Sequence, residues 1–120
     1  MTQKLFIKGR FPGLNEIIAV AKQSPYEYSK LKRNWTGIVY YEILRANLRK
    51  MKTAFIRLIW HEQDHRRDPD NVAVAKKFIF DGLVDSGILD TDSRKAIVGW
   101  DEKVVYGAKV QGVEVELIGG

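Results

Sequence analysis

Cysteine is missing altogether from the 120 residues. That removes disulfide frameworks, thiolate zinc sites and cysteine nucleophiles from consideration. Long apolar runs are missing too. The opening stretch MTQKLFIKGRF has no signal-peptide hydrophobic segment, and nothing in the chain approaches a membrane span. There is no internal repeat, low-complexity tract or linker. These absences lead to the expectation of a soluble, cytoplasmic protein with no membrane partner. What is present suffices for one core. At 45% hydrophobic, residues 1–120 are enough for a single domain and too few for two.

Lys and Arg number 20 against 15 Asp and Glu, a net charge of +5, which suits a polyanionic partner such as nucleic acid. The positive charges concentrate in KLKRNW (30–35), RANLRKMK (45–52) and HRR (65–67). That distribution favours a basic face.

Lys4 to Phe11 alternates and ends at Pro12-Gly13, which predicts a first strand and a turn. Residues 15–25 are ambiguous. From Ser29, apolar residues at Leu31, Trp35, Ile38, Tyr41, Leu44, Leu48 and Met51 recur at helical steps, predicting a helix to about Lys52. Trp35, Tyr40 and Tyr41 on it are expected in the core. TAFIRLIWHE predicts a strand over Ala54 to Glu62. NVAVAKKFIFDGLVD predicts a buried helix after Asp70 that stops at Gly87. KAIVGWDEKVVY and GVEVELI, bounded by Gly107 and Gly112, predict two antiparallel strands joined by a turn. The order β-α-β-α-β-β implies an α+β domain, a mixed sheet of about four strands packed with two main helices.

The stretch HEQDHRRDPDN (61–71) carries two overlapping patterns. The first is the H-E-x-x-H of zinc peptidases, which needs both histidines on one helix face. Here the preceding residues read as a strand, which sets His61 and His65 roughly 13 Å apart at about 3.3 Å per residue, too far for one zinc ion. The second is Asp68-Pro69-Asp70-Asn71. Pro69 holds the segment extended, so Asp68 and Asp70 can point to one side and hold a hard divalent cation. Asp70 occupies the expected N-cap, Asn71 can hold the loop, and the helix N-terminus attracts phosphate. Asp90 and Asp92 in LDTDS offer a route to three convergent carboxylates. The plainer reading of these acids is turn and cap residues.

RRDPDN (66–71), KKFIFDGLVDSGILDTDS (76–93) and WDEK (100–103) together resemble the RusA family of Holliday-junction resolvases. Phe11-Pro12-Gly13-Leu14-Asn15 is similar to that family's Pro-x-x-Asn segment after the first strand. The resemblance implies a homodimer that nicks four-way junction DNA in recombination and repair, using Mg²⁺ with Mn²⁺ as a substitute. It implies that Asp68, Asp70 and Asp92 are the catalytic, metal-holding carboxylates. Two departures stand out. The family's lysine three residues after the Asn is Val74 here, and lysines come later, at Lys76 and Lys77. At about 100° per residue Lys77 lies within roughly 20° of Asp70 around one continuous helix, while Lys76 points away; either is left as the candidate. The tandem acidic pair of many members is interrupted by Thr91. Lys30, Lys32, Arg33, Arg66, Arg67 and Lys103 are expected to bind DNA, mainly through phosphates. The rival expectations are a non-catalytic basic nucleic-acid-binding module and a small interaction domain.

Overall fold

The computed structural model describes residues 1–119. Strand β1 (Thr2–Lys8) leads into helices α1 (Leu14–Gln23) and α2 (Pro25–Arg45). Strand β2 (Ala54–Glu62), helices α3 (Pro69–Ala73) and α4 (Lys76–Asp85), and strands β3 (Ile97–Tyr106) and β4 (Gly112–Gly119) complete the chain. The α+β class and the four-stranded mixed sheet are as the sequence leads one to expect.

The sheet order is β1-β4-β2-β3, with β1 and β2 antiparallel to β4 and β3 parallel to β2. The last two strands are therefore not hairpin partners, contrary to expectation, because β2 lies between them. The β3–β4 connection instead crosses the end of β2, where the Ala108 N–H donates to the Glu62 carbonyl at 3.0 Å. Two good alternating runs with glycines between them fix direction but not adjacency. A strand already in place takes the inner edge.

The helices also differ from expectation. Residues 14–23, ambiguous in sequence, form α1. The long helix starts at Pro25, not near Ser29: Ser24 caps it by accepting from the Glu27 N–H at 3.0 Å, with Pro25 in the first turn, where its missing N–H costs nothing. It ends at Arg45, because Asn47 takes a left-handed backbone (φ 52°), a conformation Asn tolerates better than most residues. The apolar periodicity running on to Met51 thus reflects burial beyond the helix.

The expected single helix after Asp70 is two, broken at Val74 and Ala75. Asp68, not Asp70, stands at the N-cap, with extended backbone ahead of Pro69, as the residue before proline prefers.

One face of β2 (Ala54, Ile56, Leu58, Trp60) and of β4 (Val113, Val115, Leu117) is buried with Val39 and Ile43 of α2 and Phe78, Ile79 and Leu83 of α4. Helices α2 and α4 approach closely at Gly82, where a Cβ would collide with Val39. Trp35 packs half-buried on Phe11, ring centroids 4.7 Å apart. Tyr40 is half-buried, whereas Tyr41, expected in the core, is 67% exposed.

Candidate active site

The turn from Arg67 to Asn71 is held from below. Arg67 is buried, and its guanidinium donates to both Glu62 oxygens at 2.9 Å and to the Phe11 carbonyl at 2.8 Å. Gln111 donates a further hydrogen bond to Glu62. An ion pair withdrawn from water persists only when its hydrogen-bonding capacity is met in this way. Arg67 is therefore an internal strut and not the DNA-facing residue expected from its place in a basic run. Asn71 Oδ1 accepts from the Asn15 N–H at 3.4 Å, tying the head of α1 to the turn. The loop-holding role expected of Asn71 is present.

With the backbone so fixed, Asp68 and Asp70 are exposed. The Asp68 side chain makes no capping hydrogen bond. Neighbouring acids have cations: Glu62 has Arg67, Glu102 has Lys76, and Asp81 and Asp92 share Lys77. Among the described residues, Asp68 and Asp70 have none within ion-pair distance. Both carboxylates act on Tyr106, whose hydroxyl donates to the Arg67 carbonyl at 2.6 Å. The phenol's pKa is raised first by burial and then by Asp68, Glu62 and, more weakly, Asp70.

Asp92 is elsewhere engaged. Lys77 donates to it at 2.9 Å and lies 3.0 Å from Asp81. The hydrogen bond and positive charge of Lys77 hold the Asp92 carboxyl below the ordinary carboxylate range, and the same partners raise Lys77. The break between α3 and α4 means that Lys77 and Asp70 do not share one continuous helix. Lys77 meets Asp92, while Lys76 donates to the Ala73 carbonyl and pairs with Glu102, both at 3.0 Å. Glu102 in turn accepts from Trp60 Nε1 at 3.1 Å.

Among the described residues no three His, Asp or Glu side chains converge on one metal position. Asp68 and Asp70 flank Pro69 on one turn, Asp92 pairs with Lys77, and the three carboxylates do not converge. With only five residues, α3 also lacks the length for the helix dipole that was expected to attract phosphate. Asp90 pairs with Lys50 at 2.9 Å, apart from this arrangement.

The peptidase pattern fails geometrically, though not as a long strand would make it fail. Strand β2 stops at Glu62. His61 faces Glu114 at 3.8 Å, whereas His65 stacks on Tyr106, centroids 5.3 Å apart. His61 registers with Val105 and Glu62 with Tyr106, so the two histidines serve opposite faces of the sheet.

Of the expected DNA contacts, Lys30, Lys32, Arg33 and Arg66 are exposed. Lys103 registers with Ile59, on the face opposite Glu102 and Tyr106, and is directed away from the acids. Sequence reasoning gave no role to Glu102 or Tyr106, and it named Asn15 only as part of the Pro-x-x-Asn resemblance. Alternation through EKVVY would have set Glu102, Val104 and Tyr106 on one face, but nothing local says that α3 lies beside it.

Against known proteins, no family model and no curated protein sequence matches the chain.

Proposed function

We propose that the protein is a structure-selective endodeoxyribonuclease acting on four-way DNA junctions, dependent on Mg²⁺ or Mn²⁺ and working as a homodimer. The observation that carries this reading is the pair of carboxylates at Asp68 and Asp70, exposed and without cations in a chain of net charge +5. Two carboxylates two positions apart, with no cation partner among the described residues and on a turn fixed by a buried ion pair, form an oxygen-only donor set of the type Mg²⁺ takes alongside its waters and substrate phosphates.

Asp68 and Asp70 would hold the ion, and Asp92 would join them on exchanging Lys77 for it. Bound there, a divalent ion would supply Lewis acidity for activating water and for stabilising charge on the phosphate. The chain's own groups do the rest. Lys77, raised in pKa and so charged across the physiological range, neutralises charge developing on the phosphate oxygens. Lys76, bound to Glu102 and the Ala73 carbonyl, fixes the α3–α4 break and is a positioning residue. The exposed cations Lys30, Lys32, Arg33 and Arg66 hold the DNA arms through phosphates, with strong salt dependence. Two symmetric cuts in a junction call for two sites related by a two-fold axis, hence the homodimer.

A second reading, a non-catalytic nucleic-acid-binding module, is favoured by the lack of a three-acid cluster among the described residues. One experiment separates them. A labelled synthetic four-way junction and a linear duplex of the same sequence are incubated in Mg²⁺ with wild type and with Asp70→Asn. Paired symmetric nicks confined to the junction and lost in the variant support the endonuclease. Junction binding by both proteins, with no cutting under any divalent metal, supports the module.

A further inference from the structure

Helices α2 and α4 touch where Gly82 sits on Val39 and part toward Gly37, where an added Cβ would meet nothing within 4 Å. The parting leaves an open cavity of about 430 Å³, lined by Lys32, Arg33, Gly37 and Tyr40 of α2 and by Asp81 and Asp85 of α4. Helical spacing produces these walls. Arg33, Gly37 and Tyr40 follow one stripe of α2, and Asp81 and Asp85 are one turn apart on α4.

The walls are oppositely charged, yet among the described residues no ion pair crosses between them. Lys32 lies over the Tyr28 ring at 5.4 Å. Asp81 pairs along its own helix with Lys77 at 3.0 Å. Among the described residues Arg33 and Asp85 have no ion-pair partner. Cations and carboxylates held apart across open space match a ligand that carries an anion at one end and hydrogen-bond donors at the other. A nucleotide has that chemistry: a phosphate for Lys32 and Arg33, a ring to lie on Tyr40, and a base edge with N–H donors for the carboxylates. The cavity's size falls within the roughly 300–1,000 Å³ of ordinary ligand pockets.

We propose that the α2–α4 groove binds one unpaired nucleotide of the DNA strand and selects its base through Asp81 and Asp85. This rests on the endonuclease reading for its placement, because Lys77 touches both Asp81 in the groove wall and Asp92 in the candidate active site. On that reading a base seated in the groove would lie on the Asp92 side of the phosphate to be cut. Guanine fits best, since its N1–H and N2 amino group give a carboxylate two donors side by side. Cytosine and adenine offer one amino group. Thymine presents two carbonyl oxygens around a single N–H and is disfavoured by facing acids.

The test compares binding of short labelled thymine oligonucleotides with and without one central guanine, by fluorescence anisotropy in EDTA, so that no cleavage is involved. Wild type is expected to prefer the guanine-containing strand by about ten-fold or more, the discrimination of a good bidentate base contact. Asp85→Asn should remove most of that preference and, by taking away an acid that disfavours thymine, should strengthen binding of the all-thymine strand. Gly37→Leu fills the groove from a position with space above it and should also abolish the preference, with the fold intact by circular dichroism. Equal binding of the two strands by wild type, or a preference that survives Gly37→Leu, overturns the proposal. Junction cleavage without base preference would remove the groove and leave the endonuclease. Base preference without cleavage would do the reverse.

Discussion

Lys77 donates to Asp92 at 2.9 Å and lies 3.0 Å from Asp81, one cation bridging two carboxylates fifteen and four residues along the chain. The contact joins α4 to the loop ahead of β3, and its electrostatics have a definite sign. Asp92 is lowered below its ordinary value and Lys77 is raised above its own. A lowered acid adds stability above its unfolded-state pKa, and that contribution is lost as pH falls through the folded value. A raised lysine adds stability below its unfolded-state pKa, lost as pH rises through the folded one. The bridge therefore acts across the neutral range and fails at both extremes. Both partners are substantially exposed, so the whole contribution is expected at about 0.2–1 kcal/mol. Carboxyl-carbon NMR titration should place the Asp92 midpoint lower in wild type than in Lys77→Ala. Coincident curves would show that the bridge is not formed in solution.

If the endonuclease reading holds, the same lysine competes with metal for Asp92. Lys77→Met then has two effects of opposite direction. Freed of its partner, Asp92 joins Asp68 and Asp70, and Mn²⁺ affinity measured by calorimetry rises. Junction cleavage falls by about 10²-fold or more, because a charge that stabilises the transition state is gone. A variant with weaker Mn²⁺ binding and full cleavage would contradict both parts.

Arg67 is the residue for which position in sequence and position in space differ most. Lying in HRR, it reads as a DNA contact; buried against Glu62 and the Phe11 carbonyl, it is part of the scaffold. Arg67→Ala leaves the Glu62 carboxylate buried with only Gln111 as a donor. It should lower unfolding free energy by about 3–5 kcal/mol, measured by urea titration. Arg67→Lys should recover little, since an ammonium cannot reproduce the two parallel bonds. Arg66→Ala, one position away and exposed, should leave stability within about 0.5 kcal/mol of wild type and, on the endonuclease reading, instead reduce the salt dependence of DNA binding. Equal effects of the two alanine variants on stability would refute this division of roles.

The contrast between Arg66 and Arg67 shows what was legible beforehand. The class of fold, the strand Ala54–Glu62 and the DPDN turn followed from local patterns, because alternation and proline constrain the backbone wherever they occur. The start of α2 is legible too, in Ser24-Pro25 with Glu27, although the segment has no apolar periodicity to draw attention to its cap. The insertion of β2 between β3 and β4 was not legible, since strand adjacency depends on contacts far apart in sequence. The break after Ala73 was likewise hidden inside a run with apolar residues on every side. Lys77 was one of two alternatives in sequence. Once α3 and α4 separate, the structure places it on Asp92 and commits Lys76 to Glu102.

Gly13 offers a test of how far the turn depends on its neighbours. It is buried, and a Cβ there would collide with Asn71 Oδ1 and approach Arg67 Nη1 at 3.1 Å. Its backbone is extended, φ −87° and ψ 175°, so alanine is refused by space and not by torsion. Gly13→Ala must displace either Asn71, which anchors the turn to Asn15, or Arg67, which anchors it to Glu62. Overpacking of this kind is expected to cost about 1–3 kcal/mol. Because the clash is with one named side chain, its relief is specific. In Gly13→Ala combined with Asn71→Ala, the new methyl occupies the space the amide has left. The double variant should then be more stable than the sum of the two single losses by about 0.5–3 kcal/mol, the range for residues in contact. Strict additivity in urea unfolding would mean that Gly13 and Asn71 do not meet. If the endonuclease reading holds, cleavage should follow a different course: the double variant regains stability without regaining activity, because the side chain that ties the turn to Asn15 is still absent.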